Sequence, residues 1–259
     1  MLKPLLQSLA EVDERIQAAR RIALFLDFDG TLTPIVDDPA TAQLSISVRD
    51  TLRRIAARDS VVTTIVSGRA VEDVYVRIRV EGVIYGGNHG LEIFGRGLCF
   101  VEPEANARRD KLRRLTEEVA AKLGHIAGVL VEDKGLTASI HFRQANERDV
   151  PAIEDAVRSS VAAAGAFFRV STGRKVLEIM PRTGWHKGAA VEWVLARLND
   201  SELLPVYLGD DNSDEDAFAV LSDGVTVRVG GPPATRARYR VPGPAEVYQF
   251  LLWLESRVA

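Results

Sequence analysis

The sequence predicts an α/β fold, with a parallel sheet flanked by helices and a smaller inserted α/β domain. Three observations carry this expectation. Short, β-branched apolar runs alternate with helical patterns, as in sheets built from crossover units. Polar residues recur just beyond those runs, where open parallel sheets present their ligands. The chain between Thr31 and Pro181 holds more elements than such a core requires, in a rhythm of helix, hairpin, helix and hairpin.

The elements follow in order. The first 21 residues, with Glu11, Asp13 and Glu14 breaking any apolar stretch, read as a short amphipathic helix and not as a signal peptide. IALFL (22–26) reads as a buried strand, SVRDTLRRIAAR (47–58) as a helix, VVTTIV (61–66) as a second strand and VIYGG (83–87) as a third. In the surplus segment, 107–124 is helical, and 128–134 and 136–143 alternate like two strands about Gly135. A helix over 150–165 follows, then strands at 167–172 and 174–180. The core resumes with a helix at 185–199, a strand at 205–209 and a helix at 214–222, while 229–244 is rich in loop-forming residues. This places a core domain over 1–104 and 181–259 and an inserted domain over 105–180.

Composition excludes several function classes. With 46% hydrophobic and 27% charged residues, the 259-residue chain has the balance of a globular protein and can bury a large core. A net charge of -3, from 33 basic and 36 acidic residues, gives no field to gather nucleic acid or an anionic membrane. No apolar run approaches the roughly 20 residues of a membrane helix, so a soluble, cytoplasmic protein is expected. One cysteine, Cys99, rules out an internal disulfide framework and a four-cysteine zinc site. Nothing in the sequence sets the oligomeric state, and a monomer is compatible with it.

The chemistry gathers after the predicted core strands. Asp27 and Asp29 follow the first, Ser67 and Arg69 the second, Asn88 and His89 the third, and Asp210, Asp211 and Asp214 the last; Lys187 starts a core helix. Asp27 and Asp29 are two apart, so in extended backbone both side chains leave on one side. Together with Asp210, and Asp214 beyond it, these carboxylates would repel and take up protons unless a cation offset them. A hard divalent ion with oxygen ligands suits them, and Mg²⁺, which keeps waters and bridges carboxylate to phosphate, suits them best. Lys187 and the Ser67 hydroxyl supply the groups that hold phosphate oxygens. Taken singly, each of these residues is an ordinary turn, cap or solvated charge; their order along the chain and shared placement after apolar runs argue otherwise. The acidic run from Asp210 does not fit a calcium loop, since Glu215 stands where glycine is needed and Leu221 where glutamate is needed. No nucleotide-binding glycine motif and no H-E-x-x-H is present.

Asp27-Phe28-Asp29-Gly30-Thr31, Ser67-Gly68-Arg69, Lys187 and Gly209-Asp210-Asp211, in that order, resemble the haloacid dehalogenase superfamily of phosphotransferases. Gly87-Asn88-His89-Gly90-Leu91-Glu92, Glu132-x-Lys134, His141-Phe142-Arg143, Leu177-Glu178-Ile179 and Asp214-Glu215-Asp216-Ala217-Phe218 make the likeness closer to its trehalose-6-phosphate phosphatase branch. The resemblance runs from about residue 20 to about 255. It implies a Rossmann-like core with an α/β cap, and Mg²⁺-dependent hydrolysis of a small sugar phosphate through an aspartyl phosphate. Asp27 would be nucleophile and magnesium ligand. Asp29 would be general acid and base, its main-chain carbonyl touching the metal. Ser67 and Lys187 would bind phosphate, and Asp210, supported by Asp214, would complete the metal site. Arg69, Asn88, His89, Glu132, Lys134, Arg143 and Glu178 would meet the substrate. Arg174 stands where the family often has a basic residue, with Lys175 beside it, and the resemblance does not choose between them. Related sugar phosphatases acting on sucrose 6-phosphate or a glycosyl phosphoglycerate, a non-catalytic sugar-phosphate-binding subunit, and a phosphomutase, which would need a second phosphate pocket, are the alternatives.

Overall fold

The computed structural model describes every residue except 1, 174, 201, 232, 233 and 259. The chain enters with β1 (Lys3–Pro4), α1 (Leu9–Ala18), β2 (Arg21–Leu26), α2 (Ile46–Ala56), β3 (Val61–Val66), α3 (Val71–Ile78), β4 (Ile84–Gly87), β5 (Glu92–Gly95) and β6 (Leu98–Val101). A second group follows: α4 (Pro103–Ala107), α5 (Arg109–Leu123), β7 (Leu130–Asp133), β8 (Ala138–His141), α6 (Val150–Ala163), β9 (Phe168–Gly173) and β10 (Val176–Pro181). The chain ends with α7 (Lys187–Leu198), β11 (Leu203–Gly209), α8 (Asp214–Val220), β12 (Val225–Val229), β13 (Tyr239–Val241) and α9 (Pro244–Glu255). Two compact units result, Met1–Phe100 with Trp185–Ala259, and Val101–Gly184.

Among the described residues, the first unit is built on a nine-stranded sheet in the order β1-β13-β12-β11-β2-β3-β4-β5-β6. From β1 to β4 every pairing is parallel, and β5 runs antiparallel to β4. The chain builds outward from β2 through β3 and β4, then crosses to the other flank of β2 with β11. That crossing is the switch point at which parallel sheets open a crevice. Register keeps the strand ends level there: Leu26 pairs with Leu208 on one side and Ile65 on the other. Asp27, Ser67 and Asp210 therefore emerge side by side.

Burial on both faces explains the unbroken apolar runs. In β2, Ile22, Leu24 and Leu26 join one core with residues of α1, α2, α3 and α9. Ala23 and Phe25 join the other, with α7 and α8. In α2, Val48, Leu52 and Ile55 recur at helical spacing and all are buried; burying each such side chain is worth about 1.5–3 kcal/mol. The antiparallel β5 and β6 lie beyond the strands anticipated from sequence, and β13 lies inside the stretch read as loop. At three residues, β13 is too short to show a period.

The second unit has an antiparallel sheet in the order β7-β8-β10-β9. One face carries Ala138, Ile140, Leu177, Ile179 and Phe168 into a core shared with α5 and α6. The other face is polar: Glu132 and Glu178 flank Ser139 in register. No described helix in either unit is long and apolar enough to cross a membrane.

Candidate active site

Asp27 leaves the end of β2 with its N–H donating to the Leu208 carbonyl at 3.0 Å. A tight turn follows, closed by Leu32 N–H to Phe28 O at 2.9 Å and Gly30 N–H to Thr33 O at 2.8 Å. Gly30 has φ 81°, and any Cβ there would fall on the Asp210 carboxylate. Gly209 is under a similar constraint, since a Cβ would fall on the Asp214 carboxylate. The two glycines are what let two acidic loops meet.

Lys187, 2% exposed, binds both loops at once. Its Nζ donates to Asp27 Oδ1 at 2.8 Å and to Asp214 Oδ1 at 2.7 Å. Asp214 is 0% exposed, and its Oδ1 also accepts from the Tyr207 hydroxyl at 2.8 Å while Oδ2 accepts from the Asp211 N–H at 2.8 Å. Both Asp214 oxygens are thus engaged by protein donors, so Asp214 is the anchor of Lys187 and of the 210–214 turn. Arg228 on β12 braces the same turn through the Asp211 carbonyl at 2.9 Å. Burial works against the Lys187 charge, but Asp214 and Asp27 outweigh it and hold the ammonium well above the usual lysine range.

Carboxylate oxygens of Asp27, Asp210 and Asp214 lie within 4.8 Å of one another. Burial, opposed by Lys187 and reinforced by Asp214 and Asp210, pushes Asp27 well above the usual carboxylate range. Burial and then Asp214 push Asp210 up to about 7. Three carboxylates, two of them buried and Asp210 half-buried, against one ammonium leave an excess of negative charge, which a divalent cation with oxygen ligands offsets. The residues present fit such an ion.

The Asp29 carboxylate faces elsewhere. Its two oxygens accept from Arg69, Oδ2 from Nε at 2.6 Å and Oδ1 from an Nη at 2.8 Å. Arg69 also donates to Asp73 at 2.9 Å and to the Pro39 carbonyl at 2.9 Å. Ser67, at the end of β3, is buried, and its Oγ accepts from the Arg69 N–H at 3.2 Å. The 88–89 turn is laced to this loop, with Asn88 N–H to Arg69 O at 2.7 Å and His89 N–H to Ser67 O at 2.8 Å. Those bonds hold both residues left-handed, at φ 49° and 59°, a conformation that costs a non-glycine residue about 1–2 kcal/mol. The Asn88 side-chain amide donates to buried Glu92 at 2.7 Å.

In the second unit, Lys134 Nζ donates to Glu178 Oε1 at 2.9 Å, and Ser139 Oγ donates to the same oxygen at 3.3 Å. Glu132 lies 3.2 Å from His141, and Arg143 is half-buried just after β8. Arg174 lies outside the described residues. Tyr207 and Asp73 were not anticipated as parts of the site, and Glu92 was read only as the end of the 87–92 motif. A tyrosine in an otherwise buried strand is the one available signal, because its hydroxyl must find a partner there.

A family model described as trehalose-phosphatase matches residues 25–241. The chain belongs to the trehalose-phosphatase family. Every site residue named above falls within the trehalose-phosphatase match. A Mycobacterium tuberculosis protein named as an uncharacterized glycosyl hydrolase is 39% identical over 249 residues, which are 92% of this chain and 18% of that one. The chain therefore spans less than a fifth of that relative's length. A maize (Zea mays) trehalose 6-phosphate phosphatase is 37% identical over 272 residues, covering 96% of this chain and 74% of its own. The C-terminal domain of a Candida albicans trehalose-6-phosphate phosphatase shares the fold, with a TM-score of 0.83 at 20% identity over 99% of this chain and 98% of that one.

Proposed function

We propose that this chain hydrolyses trehalose 6-phosphate to trehalose and phosphate through an aspartyl-phosphate intermediate. The observation that carries the reading is the buried Lys187 bridging Asp27 and Asp214 beside Asp210. It sets a cation against one face of a carboxylate at the mouth of a parallel sheet.

In the first step a carboxylate oxygen of Asp27 attacks phosphorus in line. The bond from phosphorus to the sugar oxygen breaks, and that oxygen takes the proton of Asp29. In the second, Asp29 accepts a proton from water as the water oxygen attacks phosphorus; the bond to Asp27 breaks and phosphate leaves. Lys187 and the Ser67 hydroxyl hold phosphate oxygens through both steps. Asp27, Asp210 and the main-chain carbonyl of Asp29 would hold a divalent ion, Mg²⁺ in this reading, with Asp214 supporting them through Lys187. When bound, that ion supplies charge to the phosphate oxygens. Asn88 and His89, and in the second unit Glu132, Lys134, Arg143 and Glu178, would meet sugar hydroxyls. A soluble cytoplasmic protein accords with this substrate.

Phosphate release across a panel of sugar phosphates, with and without Mg²⁺, tests the reading. Metal-dependent release fastest from trehalose 6-phosphate is the expected result. Preference for sucrose 6-phosphate or a glycosyl phosphoglycerate would keep the chemistry and change the substrate, and no release from any of them would overturn both.

A further inference from the structure

Arg69 occupies a position that its neighbours explain better than a substrate does. Its side chain is 12% exposed, and its guanidinium lies 5.5 Å from the Phe28 ring, between Asp27 and Asp29 in sequence. A guanidinium has five N–H donors. Here they serve both oxygens of Asp29, one oxygen of Asp73 and the Pro39 carbonyl, which leaves little to offer a sugar. Asp73 is held in turn: the same Oδ2 accepts from Arg77 Nε at 2.8 Å, and Arg77 continues to the carbonyls of Ala40 and Ala42. The result is a chain of alternating charge, Asp29, Arg69, Asp73 and Arg77. It runs from the proposed proton carrier to the backbone of the segment around residues 39–42. Two-point contact matters here. A forked pair fixes the plane of a carboxylate as well as its place, which a single ammonium contact does not.

We infer that Arg69 is a positioning residue that aims the Asp29 carboxylate, and that Asp73 and Arg77 fix Arg69 from behind. This rests on the reading of Asp29 as the group that protonates the leaving oxygen. Arg69 itself contacts neither the phosphate nor the sugar. During the first step one Asp29 oxygen turns from Arg69 toward the sugar oxygen, while the other keeps its hydrogen bond and sets the direction of the turn.

The test uses leaving groups. Trehalose 6-phosphate loses an alkoxide that needs a proton, whereas p-nitrophenyl phosphate loses a phenolate that leaves without one. For both substrates kcat/KM reports the step in which the leaving group departs. Arg69→Met should lower kcat/KM for trehalose 6-phosphate roughly tenfold to a hundredfold, less than the about 10²–10⁴-fold that the positioned acid–base group itself is worth, and spare p-nitrophenyl phosphate. Arg69→Lys, which restores charge without the fork, should recover only part of the loss. KM for trehalose 6-phosphate should stay nearly constant, since Arg69 is not a ligand. Asp29→Asn is the reference and should show the same selectivity; adding Arg69→Met to it should cost little more.

The outcomes separate. Equal loss on both substrates, a raised KM with kcat unchanged, or no loss in Arg69→Met beside a selective Asp29→Asn overturns the inference and leaves the Asp29 reading standing. An Asp29→Asn variant that loses both substrates equally overturns the Asp29 reading and this inference with it. If Arg69→Met fails to fold, as judged by loss of a cooperative thermal transition, Asp73→Asn replaces it. That variant keeps the Arg69–Asp29 fork and removes its backing, and it should give a smaller loss with the same selectivity; an unselective loss there also overturns the inference.

Discussion

At Lys187 one ammonium holds two carboxylates out of water, Asp27 at 2.8 Å and Asp214 at 2.7 Å. Removing it leaves both buried without their counter-charge. Breaking a buried pair from one side costs about 3–5 kcal/mol, so Lys187→Ala should show a lowered denaturant midpoint together with lost phosphate release. Asp210 makes a second prediction, through pH. Its native position near 7 stands above the ordinary carboxylate value of 3.8, so between those limits the folded state binds more protons than the unfolded one. Stability of the metal-free protein should therefore fall as pH rises through that window. Since a cation displaces the proton, Mg²⁺ should raise the melting temperature more at pH 8 than at pH 5.5. An equal shift at both values would contradict the assignment of Asp210 to the metal. Asp27, Asp29, Ser67, Lys187 and Asp210 stand out as candidates in the sequence because each comes within three residues of the end of an apolar run or starts a helix; the structure brings Asp27, Asp210 and Lys187 together and turns the Asp29 carboxylate to Arg69. What each side chain grips was not legible. Asp214 sits four residues after Asp210 and lies with it and Asp27 in the acidic group; that its oxygens also accept from Lys187, Tyr207 and the Asp211 N–H has no sign in the sequence. The spacing of Asp27 and Asp29 suggests one shared site, but it does not tell that the Asp27 carboxylate accepts from Lys187 and the Asp29 carboxylate from Arg69.

Among elements, α2 separates packing from periodicity. Leu52 is 0% exposed against the sheet, whereas Ile46 at the start of the same helix is 74% exposed. Leu52→Ala should cost about 2–5 kcal/mol by leaving a cavity, while Ile46→Ala should fall within about 0.5 kcal/mol, as surface changes do; urea unfolding of the two variants reads the contrast. The parallel strands β2, β3 and β11 were readable because burial on both faces leaves a continuous apolar run in each. Short strands were harder. β13 has one residue on its outer side between two buried ones, and its place comes from hydrogen bonding to β12 and β1, which no local pattern records. The β5–β6 hairpin needs the turn around Arg96 and Gly97, both left-handed, and their glycine signal is weak without knowing which strand β5 joins.

On the scale of the whole chain, the second unit has an apolar core of its own, centred on Leu177, Ile140, Val157 and Val119. Separate cores allow separate opening. Leu177→Ala should therefore raise hydrogen exchange across β7 to β10 and α5 and α6 more than across β2, β3 and β11. A uniform rise would mean that the two units unfold together. The family match spans both units, so the catalytic reading concerns the chain as a unit of function, and its central claim is that Asp27 carries the phosphate. Mass spectrometry of protein quenched in acid while turning over trehalose 6-phosphate with Mg²⁺ tests this most directly. One phosphate on the peptide containing Asp27, with no phosphate release by Asp27→Asn, is the predicted result; an Asp27→Asn variant that releases phosphate at the unmodified rate would contradict it.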